Sequence, residues 1–161
     1  MSFGGTTPQP PPGLRRYFQR RLCLVTIPSA VIIEDDPHIS EIFSRTLEPD
    51  FEVSICRDGS AALDHFEKSV PNLILLDLHL PFMSGETLLD HLCLDPRFAN
   101  TKIVVISADL FWAEKLHHQV DATLYKPISL SQLREVVSLV ELRSRHGKKN
   151  EAQPRMDHDP V

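Results

Sequence analysis

In this chain of 161 residues, an acidic run Glu34-Asp35-Asp36 precedes three isolated polar residues, Asp77, Ser107 and Lys126, that stand at the ends of apolar segments. Carboxylates gathered in one place repel one another, so such a cluster calls for a hard cation. Mg²⁺ suits it, taking one or two carboxylates and completing its shell with water and phosphate oxygens. An aspartate in that setting is a nucleophile toward phosphorus and forms an acyl phosphate. The cation and an ammonium such as Lys126 offset the charge that spreads over the phosphoryl oxygens, and the Ser107 hydroxyl can hydrogen-bond one of them. No general base is needed, because a carboxylate is already ionised at pH 7.

The elements that must bring these residues together can be read from periodicity. Ala30–Ile33, Leu73–Leu76 and Ile103–Ile106 are short, wholly apolar runs, as expected of strands buried on both faces. Residues 51–55 alternate, and residues 122–125 make a fifth strand. Between them, Pro37 opens a helix after Asp36, with Ile39, Ile42, Phe43 and Leu47 at helical spacing. Asp58-Gly59 reads as a turn before a helix carrying Ala61, Ala62, Leu63 and Phe66; helices follow at 85–94, 110–118 and 130–143. Five strand-helix units without internal repeats predict an α/β fold, a doubly wound five-stranded parallel sheet with helices on both faces. Function in such sheets gathers at the carboxyl ends of the strands. Strand one ends in Glu34-Asp35-Asp36, strand three in Asp77, strand four in Ser107 and strand five in Lys126-Pro127, so the reactive groups converge on one edge.

Composition narrows the function classes. Residues 30–146 carry 19 acids against 10 Lys plus Arg, a local charge of −9. An acidic body is a poor partner for the phosphate backbone, so direct DNA binding is not expected. The three cysteines, Cys23, Cys56 and Cys93, show neither metal-ligand nor disulfide spacing, which fits a reducing, cytoplasmic setting. No apolar run reaches the length of a membrane span. Residues 1–28 read as a flexible arm rich in Pro and Arg, residues 29–146 as the folded domain, and residues 147–161 as a disordered polar tail. Arg15-Arg16 before an apolar stretch has the look of a twin-arginine export signal, but Pro28 interrupts that stretch and no cleavage site follows. The PxxP spacing at Pro8–Pro11 reads as incidental. His65, His91, His117 and His118 read as solvated helix residues, and Trp112 as partial core.

The pieces VIIEDDP (31–37), LILLDLHLPFMSG (73–85), VVISA (104–108) and LYKP (124–127) resemble the receiver domain of two-component response regulators over about residues 29–146. The resemblance implies that Glu34 and Asp35 serve Mg²⁺, with Asp35 a direct ligand, and that Asp77 is both ligand and phosphoacceptor. It makes Ser107 the switch hydroxyl and Lys126 the phosphate-pairing lysine. It also implies a histidine kinase or histidine phosphotransfer protein as donor and an unidentified downstream protein as reader. The chain departs from the family pattern in three ways. The interval from Ser107 to Lys126 is short, predicting a shortened fourth helix or loop. Thr123 stands where an aromatic is usual, and Tyr125, two residues on, shares its face. His79 and Asp109 occupy the positions that tune dephosphorylation in relatives.

The function expected is a phosphorylation-dependent switch, a stand-alone receiver and not an enzyme beyond its own Mg²⁺-dependent phosphorylation and dephosphorylation. No output domain fits in the residues after 146. Two alternatives stand beside it. A degenerate receiver would act as a phosphorylation-independent interaction module, against which the retained Asp35, Asp77, Ser107 and Lys126 argue. An aspartate-nucleophile phosphatase of the haloacid-dehalogenase type needs a second aspartate at position 79, where this chain has His79.

Overall fold

The computed structural model of the chain describes residues 26–150. Its strands are β1 (Ser29–Ile33), β2 (Glu52–Cys56), β3 (Leu73–Asp77), β4 (Lys102–Ser107) and β5 (Ala122–Tyr125). The helices are α1 (Pro37–Leu47), α2 (Gly59–Lys68), α3 (Gly85–Leu94), α4 (Leu110–Leu116) and α5 (Leu130–Asn150), with a 3₁₀ turn at Pro96–Phe98. All strands are parallel, in the order β2-β1-β3-β4-β5. The expected doubly wound sheet is therefore present, and its strand order reverses between β1 and β3.

Side chains alternate across a strand, and here both sets are apolar because both faces are covered. Val31, Ile33, Ile74, Leu76 and Val105 pack with Phe66, Leu88, Leu89 and Leu92 from α2 and α3. Ala30, Ile32, Leu75, Val104 and Ile106 pack with Phe43 and Leu47 of α1 and with Leu133, Val137 and Val140 of α5. Each fully buried Leu or Ile contributes about 1.5–3 kcal/mol relative to exposure, so β1, β3 and β4, buried along nearly their whole length, anchor the sheet.

Four helices begin just beyond a strand with a polar residue closing the first turn. Asp36 Oδ1 accepts the His38 and Ile39 N–H groups at 2.7 and 3.0 Å, Asp58 Oδ1 that of Ala61 at 2.8 Å, Ser84 Oγ that of Thr87 at 3.3 Å, and Asp109 Oδ1 that of Phe111 at 2.8 Å. Such caps satisfy amides that have no partner inside the helix. Two sequence expectations are corrected. Asp58-Gly59 is a cap and first helical residue, because the aspartate accepts from the chain ahead of it. The last helix runs on through Gly147 to Asn150, so the boundary of the polar segment at 147 does not mark a change of backbone. One glycine in a helix costs only about 1 kcal/mol. The fourth helix is short at seven residues, as the compressed Ser107–Lys126 interval implies. The basic arm with its twin arginines, the PxxP spacing, Cys23 and the segment 151–161 lie outside the described residues.

Candidate functional site

Where the strand order reverses, helices leave the sheet in opposite directions and a cleft opens above the carboxyl ends of β1 and β3. Backbone ladders carry each site residue to that edge. Glu34 N–H donates to the Cys56 carbonyl at 3.1 Å, Leu78 N–H to Ile106 at 3.1 Å, and Lys126 N–H to Ser107 at 2.9 Å. Glu34 and Asp77 are buried, 2% and 1% exposed, while Asp35 is exposed.

Asp77 is held at both oxygens. Oδ1 accepts the backbone N–H of His79 at 3.0 Å, and Oδ2 accepts Lys126 Nζ at 2.5 Å. The same ammonium donates to Glu34 Oε2 at 3.1 Å, and Glu34 Oε1 accepts the Asp36 N–H at 3.2 Å. Among the described residues no buried side-chain nitrogen or oxygen lacks a partner. Lys126 thus ties the ends of β1 and β3 to that of β5.

The electrostatics follow from burial. Loss of solvation and the nearby charge of Asp77 push the Glu34 carboxyl up to about 7, against the opposing pull of Lys126 and the Asp36 amide. Burial disfavours the Lys126 ammonium, but its hydrogen bonds and its attraction to Asp77 and Glu34 outweigh that and raise its pKa. Asp36 is held below the ordinary carboxylate range by the amides of Ile39 and His38. A carboxyl whose folded pKa lies above its unfolded value binds its proton more tightly when folded. Its stabilising contribution is therefore present below pH 4.5 and lost as pH rises through about 7. In a chelating buffer, denaturant midpoints between pH 5 and 8 should fall with rising pH, and Glu34→Gln should flatten that slope.

Glu34, Asp35 and Asp77 each offer a carboxylate oxygen, all within 4.8 Å of one another. Three oxygen donors of this kind, one exposed to solvent, fit a hard divalent cation that retains water, as Mg²⁺ does.

The remaining sequence-selected residues separate into near and far. Ser107 is buried at the end of β4, but its hydroxyl is engaged by the next turn, donating to the Asp109 carbonyl at 3.2 Å and accepting the Asp109 N–H at 3.0 Å. Asp109 turns its carboxylate to the cap of α4. The exposed His79 ring has Nδ1 4.0 Å from Asp77 Oδ1. Thr123 is half-buried opposite Val105, whereas Tyr125 is 45% exposed opposite Ser107. Trp112 packs partly on the core and lies under Lys115, whose Nζ is 4.5 Å from a ring centroid. His91, His117 and His118 are exposed and His65 is half-buried against Ser69.

Sequence reading missed how the loop from Asp77 to α3 is braced. A Cβ at Gly85 would lie 2.5 Å from the Asp77 carbonyl oxygen and 2.6 Å from Leu78 Cα, so the start of α3 rests on the backbone of the site itself. A Cβ at Gly59 would first meet the Met83 side chain, at 2.8 Å. Between Pro81 and Met83, Phe82 has a left-handed φ of 67°, and Met83 N–H reaches back to the Pro81 carbonyl at 2.7 Å. The LPFMSG motif (80–85) marks this turn, with Pro81 and Gly85 shaping the entry to the third helix, but it carries no sign of the left-handed Phe82.

The family model described as "response regulator receiver domain" matches residues 30–138. The chain is similar to the sensor histidine kinase TmoS of Ectopseudomonas mendocina, at 33% identity over 69% of this chain and 12% of that one. It is similar to the response regulator Rre1 of Synechocystis, at 27% identity over 68% of this chain and 49% of that one. The chain thus spans about half or less of the length of these relatives. Among solved structures, the signal receiver domain of a LuxO repressor protein from Vibrio parahaemolyticus superposes with a TM-score of 0.68 at 25% identity, covering 78% of this chain and 98% of that one. No helix among the described residues is long and apolar enough to cross a membrane.

Proposed function

Because this chain belongs to the response regulator receiver family of two-component signalling, we propose that it is a phosphorylation switch in which Asp77 accepts a phosphoryl group from a phosphohistidine protein. Receiver domains are signalling modules rather than general enzymes. The observation that carries the proposal is a buried Asp77 at the reversal of strand order, bonded to Lys126 and flanked by Glu34 and Asp35. Asp77 attacks phosphorus with a carboxylate oxygen, forming an O–P bond as the N–P bond of the phosphohistidine breaks. The released electron pair stays on the imidazole nitrogen, which takes up a proton from solvent. Asp35 and Asp77, with Glu34 beside them, would hold Mg²⁺, which would supply positive charge to the phosphoryl oxygens.

Lys126 is placed to follow its partner oxygen, exchanging a carboxylate contact for a phosphoryl one. The Ser107 hydroxyl, now on the Asp109 backbone, would leave it to serve the same group, and that exchange would move the α4 turn. With Thr123 small, Tyr125, beside Ser107 in register, takes over part of the coupling at β5. His79 and Asp109 set the lifetime of the acyl phosphate. The output is a changed surface read by another protein, in a cytoplasmic setting.

Incubation with Mg²⁺ and acetyl phosphate, read by intact mass, tests the proposal: one hydroxylamine-labile phosphoryl group should be added. No mass gain under saturating conditions would favour the phosphorylation-independent interaction module. A companion measurement addresses the metal. Saturating Mg²⁺ should raise the melting midpoint by linkage, and Asp35→Ala should remove that rise while leaving the metal-free protein folded, since Asp35 is exposed.

A further inference from the structure

Of the six phenylalanines in the described residues, four are buried: Phe43, Phe51, Phe66 and Phe98. The other two, Phe82 at 102% exposure and Phe111 at 67%, follow the carboxyl ends of neighbouring strands, Phe82 after β3, which ends in Asp77, and Phe111 after β4. Phe82 is costly in two ways. Its ring contributes nothing to the core, and its left-handed backbone, closed by the hydrogen bond from Met83 to Pro81, is one that aromatic residues rarely adopt. Glycine or asparagine would occupy that position without this strain. The loop is fixed on both sides, by Gly85 against the Asp77 backbone and by Met83 against Gly59, so the strain is imposed rather than relaxed. A strained residue held by its surroundings beside a reactive group points to a use.

We propose that Phe82, supported by Phe111, is an apolar anchor for the protein phosphodonor, inserting into a pocket beside the donor's phosphohistidine. The inference rests on the phosphorylation reading above and names the contact that reading lacks. Asp77 is 1% exposed, so a donor must bring phosphorus into the cleft at one angle, and an anchor beside the opening fixes that approach. Exposed aromatic side chains supply large contact area at low entropic cost and dominate binding where they are enclosed. The charge of the domain favours a protein over a membrane. Residues 30–146 carry a net −9, and Asp35, Asp36, Glu86 and Asp109 lie around this edge, which would be repelled by anionic lipid. The partner it fits has an apolar pocket around its histidine and basic residues at the margin.

The test compares the unchanged protein with Phe82→Gly and Phe82→Asn, using two kinds of donor: acetyl phosphate, and a panel of purified histidine kinases and phosphotransfer proteins from the same cell, each phosphorylated on histidine. Both variants should melt at or above the midpoint of the unchanged protein and take phosphate from acetyl phosphate at its rate. Transfer from the fastest protein donor should fall at least tenfold in kcat/KM, carried mainly by KM, and Phe82→Leu should recover part of it. Unchanged transfer in both variants would overturn the proposal, as would a panel in which no protein donor transfers while acetyl phosphate still labels Asp77. Phe82-dependent sedimentation with phosphatidylglycerol vesicles, with protein transfer unaffected, would assign the ring to a membrane instead. Failure of acetyl phosphate to label the unchanged protein would remove the phosphorylation reading itself, a result distinct from each of these.

Discussion

Replacing Asp77 with asparagine is expected to abolish phosphorylation, from about one phosphoryl group per chain to none, read by intact mass after incubation with acetyl phosphate and Mg²⁺. The amide is nearly the same size but cannot act as an anionic nucleophile toward phosphorus. The variant should remain folded, because Lys126 keeps Glu34 as a partner and the repulsion between the Glu34 and Asp77 carboxylates is gone. Its metal-free melting midpoint should be no lower than that of the unchanged protein. A labile acyl phosphate persisting in Asp77→Asn would place the nucleophile elsewhere.

The second large effect is structural. Gly85→Ala should destabilise the fold by about 3 kcal/mol, because the added methyl meets backbone rather than a movable side chain. That corresponds to a fall in melting midpoint on the order of 10 °C. The atoms it strikes belong to Asp77 and Leu78, so surviving folded protein should also phosphorylate more slowly. Gly59→Ala is the informative contrast. Its methyl meets the flexible Met83 side chain, which can shift, and the cost should be about 1 kcal/mol or less. Thermal denaturation of the two variants side by side distinguishes a rigid contact from a yielding one.

Much of this architecture was legible before any coordinates. The β1, β3 and β4 segments announce themselves as apolar runs because the sheet is covered on both faces, and a strand with no polar side cannot be mistaken for an exposed one. Their ends then position Glu34, Asp35, Asp77 and Ser107 without knowledge of the turns between. What escaped notice is what depends on distant or competing partners. The Lys126 ammonium meets Glu34 across 92 residues, and nothing in either local sequence indicates that it bridges two carboxylates. Asp58-Gly59 suits a turn and a helix cap equally well, and only the Ala61 amide decides between them. The Ser107 hydroxyl can face the cleft or the following turn, and it takes the turn because the Asp109 N–H and carbonyl are both within reach. Phe82 was opaque for the opposite reason, since local preference argues against an aromatic in that backbone conformation.

One layer of the molecule has a history that the finished fold conceals. The helices covering Ala30, Ile32, Leu75 and Val104 are the first and the last, with Phe43 and Leu47 on one side and Leu133, Val137 and Val140 on the other. The opposite layer is assembled in sequence from α2, α3 and α4. During synthesis, therefore, a chain that has already paired β1 with β3 carries a half-covered apolar face until the residues of α5 leave the ribosome. A chain stopped near residue 128 would hold that surface open indefinitely, an invitation to chaperones and to self-association. The closing helix works as a clasp, and limited proteolysis within it should release an aggregating species rather than a smaller soluble domain.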